Sequence, residues 1–369
     1  MQTLSHQLGQ VLLIGFEGDG WSRELDELLR EVQPAGVIFF ERNIADAEPF
    51  QQLVAEIRSV LETPEAGPPL LSIDQEGGLV DRLRKVLAPL PSARDAARAG
   101  LAFELGQMAG RELAAFALNV DFAPVLDLST SQSVDILASR TAGETPKQVI
   151  AFAEQFLAGL SEQGIVGCGK HFPGLGSGEK DTHLAMPRID KSESEMWETD
   201  LAPFRVLAPR LPMIMVAHAA YPAFADAPPP APPLPASLSP GLIRELLQHK
   251  IGFSGLVLSD DLEMGALENR SIEQAAIDAL RAGCDLLLVC RKAQNVRRVW
   301  EALRQQAERD SGFQALIEQA AAKVLRLRQT LPSRPVAARP FSDWSVLRQK
   351  IQELTAVVRA RCAISEPRP

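Results

Sequence analysis

The sequence predicts an α/β fold, a (β/α)8 barrel of the TIM type forming a single catalytic domain, and three observations carry that prediction. Eight short apolar runs recur along the chain, at 11–18, 35–43, 70–78, 119–129, 164–174, 213–221, 253–265 and 284–292. They alternate little, as suits strands buried on both faces of a parallel sheet. Helical patterns lie between them, which gives the strand–helix rhythm of a barrel. Third, polar residues gather where the runs end: Asp74, Asp127, Lys170, His171, His218 and Asp260. In a barrel those ends share one mouth, where active sites are built. A doubly wound open sheet is the competing fold. It usually places a phosphate-binding glycine turn after its first strand, and GFEGDGW lacks the G-x-G-x-x-G spacing.

Taken in order, the N-terminus MQTLSHQLGQVLLIGFEGDG reads as a helix followed by a strand. It has no charged n-region and only a short apolar run, unlike a secretory signal. Helices are expected at EPFQQLVAEIRSVLE, FELGQMAGRELAAFAL, TPKQVIAFAEQFLAGLSEQ and SIEQAAIDALRAG. The last has Ser271 as N-cap and Gly283 as its stop. APPPAPPLPAS (227–237) should be stiff and extended, a rigid loop after the sixth strand or, alternatively, a ligand for a proline-reading module. The barrel is expected to occupy 1–331. Residues 332–369 would be a linker, LPSRPVAARPF, and one amphipathic helix, DWSVLRQKIQELTAVVRAR, packed on the barrel.

Composition narrows the partners. Lys+Arg 38 against Asp+Glu 47 gives a net charge of −9, with no basic run. That argues against nucleic acid and anionic membrane surfaces. No apolar run is long enough to span a bilayer. Cys168, Cys284, Cys290 and Cys362 form no C-x-x-C pair. They read as free thiols, mostly buried, in a reducing cytoplasm.

Chemistry concentrates in GKHFPGLGSGEKDTH (169–183). A segment so rich in glycine and proline forms neither helix nor strand well, and loops of this kind serve to place side chains. Asp181 stands two residues before His183, close enough to hold one imidazole nitrogen and favour imidazolium, which makes the pair a candidate acid/base dyad. A surface turn held by an Asx bond is the plainer reading. In LSDDLEMG only one of Asp260 and Asp261 can face the barrel axis, because strand side chains alternate. Asp260 suits a nucleophile, base or metal ligand, and Asp261 a helix N-cap. In IDQEGGLVDRL, Asp74 and Arg82 suit a grip on vicinal hydroxyls, or a structural ion pair at the rim. Arg140, in ASRTAGE, is a further candidate, with a solvated surface arginine as its alternative.

Together, IDQEGG…R, KHFPG-x-G-x4-D-[ST]-H and SDDLEMGA, in this order, resemble the β-N-acetylglucosaminidases of glycoside hydrolase family 3, the type used in bacterial cell-wall recycling. The likeness runs over about residues 8–330, as motif order on one barrel. It implies that Asp260 is the nucleophile and that Asp181 with His183 forms the acid/base dyad. Asp74, Arg82, Arg140, Lys170 and His171 would bind a terminal N-acetylglucosamine. It further implies retaining exo-hydrolysis of muropeptides ending in anhydro-N-acetylmuramic acid, with no cofactor, no metal and a saccharide as the only small-molecule partner. The chain departs from the pattern twice: Leu175 replaces the histidine of Pro-Gly-His-Gly, and Leu79 replaces the arginine after the double glycine. Three other readings compete. One is a β-glucosidase or other family 3 glycosidase. Another is a metal-dependent barrel hydrolase using His171, His183, His218 and Asp260. The last is a sugar-binding barrel without turnover.

Overall fold

The computed structural model describes residues 3–130, 137, 139–178, 186–225, 234–332 and 343–365. The apolar runs become β1 (Leu12–Ile14), β2 (Gly36–Phe39), β3 (Leu70–Ile73), β6 (Val120–Asp121), β7 (Val166–Phe172), β8 (Met213–Val216), β9 (Leu256–Asp261) and β10 (Leu286–Val289). A small antiparallel hairpin, β4 (Gln75–Gly77) and β5 (Val80–Asp81), follows β3. The eight strands pair in parallel in the order β1-β2-β3-β6-β7-β8-β9-β10, and β10 closes back on β1 through Leu13 and Leu288.

Strand parity lets one chain fill two cores. Leu13, Ile38, Val120, Cys168, Met215, Leu258 and Leu288 belong to one buried cluster, the barrel interior. Their strand neighbours Leu12, Ile14, Val37, Phe39, Val257 and Val289 pack outward in a second cluster with the helices. Successive strand side chains point to opposite faces, so a strand apolar on both is what a covered barrel requires. The run 119–129 shows where this stops. Its ladder ends at Asp121, because Pro124 has no N–H to donate, and Val125 makes only an isolated bridge with Lys170.

The helices begin and end where side chains cap them. They are α1 (Leu4–Gln10), α2 (Arg23–Val32), α3 (Ala47–Leu61), α4 (Ala93–Ala99), α5 (Ala102–Ala115), α6 (Pro146–Glu162), α7 (Glu193–Glu198), α8 (Leu201–Leu207), α9 (Ile272–Ala282), α10 (Ala293–Arg309), α11 (Ser311–Thr330) and α12 (Trp344–Ser365), with a π-helical segment at Gly241–Lys250. Ser271 accepts from the Gln274 N–H at the start of α9, and Gly283 ends it at a φ of 115°. Thr145 and Gln148 form a capping box on α6, with Pro146 at the first helical position.

At the N-terminal end of the barrel, the buried Arg328 of α11 donates to the carbonyls of Leu61, Gly67 and Pro68 and to Gln10 Oε1. These neutral oxygens satisfy it without a contacting carboxylate, and burial pulls its pKa down to about 10. The C-terminal helix α12 lies on α4 and α5. Trp344 stacks on Phe116 at 4.8 Å, Ile351 and Val358 are buried, and Arg348 and Thr355 donate to the carbonyls of Val86 and Pro89. Among the described residues no helix is long and apolar enough to cross a membrane. Most of the proline-dense segment 227–237 lies outside the described residues.

Candidate active site

The hairpin after β3 carries the first part of the site. Gly77 and Gly78 make its turn with φ of 83° and 61°, in the left-handed region that glycine tolerates. Space forbids any side chain there as well: a Cβ on Gly77 would lie 2.2 Å from the Pro91 carbonyl oxygen. The turn brings Asp74, Glu76 and Arg82 to the mouth of the barrel.

Lys170, near the end of β7, is the hub. Its Nζ lies 2.6 Å from both Asp74 Oδ1 and Glu76 Oε1. Arg140 grips Glu76 in a two-point fork, Nε to Oε2 at 2.7 Å and Nη2 to Oε1 at 2.8 Å. Arg82 Nη2 stands 3.7 Å from Asp74 Oδ2, and its Nε is buried with no protein acceptor. Burial alone would raise both carboxyls and lower the lysine. Instead Arg140 and Lys170 hold Glu76 below the usual carboxylate range, Lys170 and Arg82 do the same for Asp74, and the two acids push Lys170 up to about 12. Exposure divides the labour. The Glu76 side chain is 3% exposed and serves the two cations, whereas that of Asp74 is 15% exposed and can reach a ligand.

His171 follows Lys170 across a cis peptide bond. Its Nδ1 sits 2.7 Å from Asp127 Oδ2, while Asp127 Oδ1 accepts the N–H of Leu175 at 2.7 Å. With Nδ1–H donating to the carboxylate, Nε2 is the nitrogen left without a partner in that pair. Leu175 is buried against the main core and also lines the cavity. Leu79 is 57% exposed at the cavity mouth.

At the end of β9, Asp260 Oδ1 accepts the N–H of Asp261 at 2.8 Å. Asp261 Oδ1 accepts from the N–H groups of Glu263 and Cys290, and burial pushes its pKa up to about 6. Asp261 therefore holds the chain turning out of the strand, not the start of an α-helix, and, against the expectation that only one of the pair faces inward, both Asp260 and Asp261 line the cavity. His218 supports the same strand end: Nδ1 is 2.6 Å from Ser237 Oγ and Nε2 is 3.0 Å from the Asp261 carbonyl. The carbonyl can only accept, so Nε2 carries the proton, and both nitrogens are engaged away from any ligand.

One cavity of about 570 Å³ is lined by Asp74, Arg82, Arg140, Lys170, His171 and Asp260. The six expected residues at described positions thus meet around one space. Asp181 and His183 lie outside the described residues. Arg140, for which a solvated surface position was the alternative, has a side chain only 11% exposed and paired with Glu76. Sequence reasoning passed over Glu76. Its signal was parity, since residues two apart in extended chain share a face and Asp74 and Glu76 are such a pair.

The comparisons with known proteins agree. The description "Glycosyl hydrolase family 3 N terminal domain" matches residues 3–327. A β-hexosaminidase of Tolumonas auensis is 38% identical over 288 residues, covering 76% of this chain and 82% of that protein. One of Idiomarina loihiensis is 34% identical over 299 residues, covering 79% and 87%. Among solved structures, a family 3 β-N-acetylglucosaminidase from Paenibacillus sp. superposes with a TM-score of 0.83 at 31% identity, covering 96% of this chain and 69% of that one. With barrel, pocket and relatives in accord, this chain belongs to glycosyl hydrolase family 3 and is a glycoside hydrolase.

Proposed function

We propose that the chain is a retaining exo-β-N-acetylglucosaminidase that removes terminal non-reducing N-acetylglucosamine from muropeptides in the cytoplasm. The observation that carries this reading is the placement of Asp260 in the same cavity as Asp74, Arg82, Lys170 and His171. Asp74 accepts from sugar hydroxyls. Lys170, Arg82 and His171 donate to or align with the same ring, and Glu76 with Arg140 keeps Lys170 in place. Asp260 attacks the anomeric carbon and forms a glycosyl-enzyme, which water then opens.

The proton for the leaving oxygen comes, in this reading, from His183, supported by Asp181, on the segment that carries the Asp-Thr-His motif. A histidine acid is cationic before the step and neutral after it, so it never sets a second negative charge beside Asp260. The names of the β-hexosaminidase relatives support the sugar, and the buried free cysteines at 168, 284 and 290 suit a reducing compartment.

The test is hydrolysis of a chromogenic N-acetyl-β-D-glucosaminide beside its glucose analogue, with wild type and Asp260→Ala. Wild type should cleave the N-acetyl sugar, and Asp260→Ala should lose about 10⁴-fold or more in kcat while remaining folded. Preference for the glucoside, or full activity in the variant, refutes the assignment. Release of N-acetylglucosamine from a disaccharide-peptide with an anhydro-muramic end then tests the muropeptide.

A further inference from the structure

Behind the sugar-facing side of the β4–β5 hairpin lies a buried network that the reaction does not touch. Gln75, between Asp74 and Glu76, is fully buried. Its Nε2 donates to Asp81 Oδ1 at 2.8 Å and to Glu112 Oε2, from α5, at 2.7 Å. Its Oε1 accepts the backbone N–H of Arg82 at 2.9 Å, and its own N–H donates to Asp121 Oδ1 at 3.0 Å. Asp81 Oδ2 accepts the N–H of Leu90 at 2.8 Å. A single side chain therefore ties the residue next to Asp74 to Arg82 itself.

The acids around Gln75 lack the company that those at the mouth enjoy. Among the described residues the ion pairs at the mouth join Lys170 to Asp74 and Glu76, Arg140 to Glu76 and Arg82 to Asp74; none includes Asp81, Glu112 or Asp121. Glu112 Oε1 and Asp121 Oδ2 are buried with no hydrogen-bond partner. The charged groups facing the cluster are few. Glu112 faces Asp81 and Asp121; Asp121 faces Lys170, Asp74 and Glu76; Asp81 faces Arg84. Burial, and then the neighbouring acids, push the carboxyls of Glu112 and Asp121 well up. An ionised Glu112 would set a second charge across one amide from Asp81, in a site that water does not reach.

We propose that Gln75 is a positioning residue that fixes the spacing of Asp74 and Arg82, and that Glu112 holds it as a neutral acid. This rests on the reading that Asp74 and Arg82 bind the sugar. Both groups grip substrate and transition state alike, so loosening them weakens binding more than it slows chemistry.

The experiment uses the full chain with the chromogenic N-acetylglucosaminide, in Gln75→Glu and Glu112→Gln variants, from about pH 5 to 9. Gln75→Glu loses the amide donor and adds a buried acid. Its KM should rise about tenfold at neutral pH, the size of one broken buried hydrogen bond, with kcat within about threefold. The protonated carboxyl has one O–H where the amide has two N–H donors, so one of Asp81 and Glu112 stays unpaired and the rise in KM should persist at the acid end. Glu112→Gln keeps a neutral partner and should raise KM less than about twofold. A folded Gln75→Glu protein with wild-type KM across this range overturns the proposal. So does a Glu112→Gln protein whose KM rises as far as that of Gln75→Glu, which would mean that the carboxylate itself is needed. If Gln75→Glu does not fold, as read by circular dichroism, Glu112→Gln and the neutral, shorter Gln75→Asn decide: raised KM in Gln75→Asn alone supports the proposal, and any other pattern overturns it. Wild type inactive on N-acetylglucosaminides refutes the functional reading together with this one, whereas active wild type with failed variant predictions refutes this one alone.

Discussion

The two sides of the β4–β5 hairpin bury almost the same number of acids and treat them oppositely. Toward the cavity, Asp74 and Glu76 are matched by Lys170, Arg140 and Arg82, and both carboxyls are held low. Toward α5 and β6, Asp81, Glu112 and Asp121 share the amide groups of Gln75 with no paired cation, and all three are pushed up by burial. The comparison teaches that burial alone does not set the charge of a site; what matters is whether a cation is buried with the acid. The cavity side carries acids paired with buried cations, and on the far side burial raises the acids that share Gln75.

The sharpest way to break the comparison is to remove the central cation. Lys170→Met removes the cation that two buried carboxylates share. It should cost about 3–5 kcal/mol of stability in urea unfolding, and hydrolysis should fall at least a hundredfold, roughly the cost of breaking a buried charge pair.

A smaller change separates the two sides by the sign of their pH dependence. Asp74 and Glu76 have lowered pKa values, so their stabilisation is present above their unfolded values of 3.8 and 4.5 and is lost as pH falls. Glu112 is raised, so its contribution is complete below 4.5 and declines as pH rises through its folded pKa. Glu76→Gln should therefore cost about 2–3 kcal/mol at neutral pH and progressively less toward acid. Glu112→Gln should flatten the fall in melting temperature toward alkaline pH. Parallel pH profiles for the two variants would contradict the division drawn between the two sides.

The smallest effect is expected at the rim. Leu79→Arg places the usual family residue on an exposed position, should change stability by less than about 0.5 kcal/mol, and should shift KM for extended substrates more than for a nitrophenyl glycoside. Equal shifts for both would show that this rim position does not touch the leaving group.

Much of this molecule could be read before any coordinates. The eight barrel strands follow from apolar runs of strand length, and the ends of α9 from Ser271 and Gly283, because these signals are local. The motif around Asp74, Lys170, His171 and Asp260 was likewise visible as residue types at fixed spacing. The shortening of β6 to two residues was less legible, since the run 119–129 is apolar throughout and only Pro124 betrays where the ladder must stop. The role of Arg140 was hidden for a different reason: its partner Glu76 lies 64 residues away.

By itself, then, the sequence determined the barrel and six of the residues that line its cavity, because periodicity and strand-end polarity are written into neighbouring positions. Only the tertiary structure decided which buried acids are charged. Lys170 meets Asp74 across 96 residues, and Glu112 meets Gln75 across 37. No spacing along the chain marks such encounters, since they depend on which strand and helix close over the same pocket, and ionisation follows from that company.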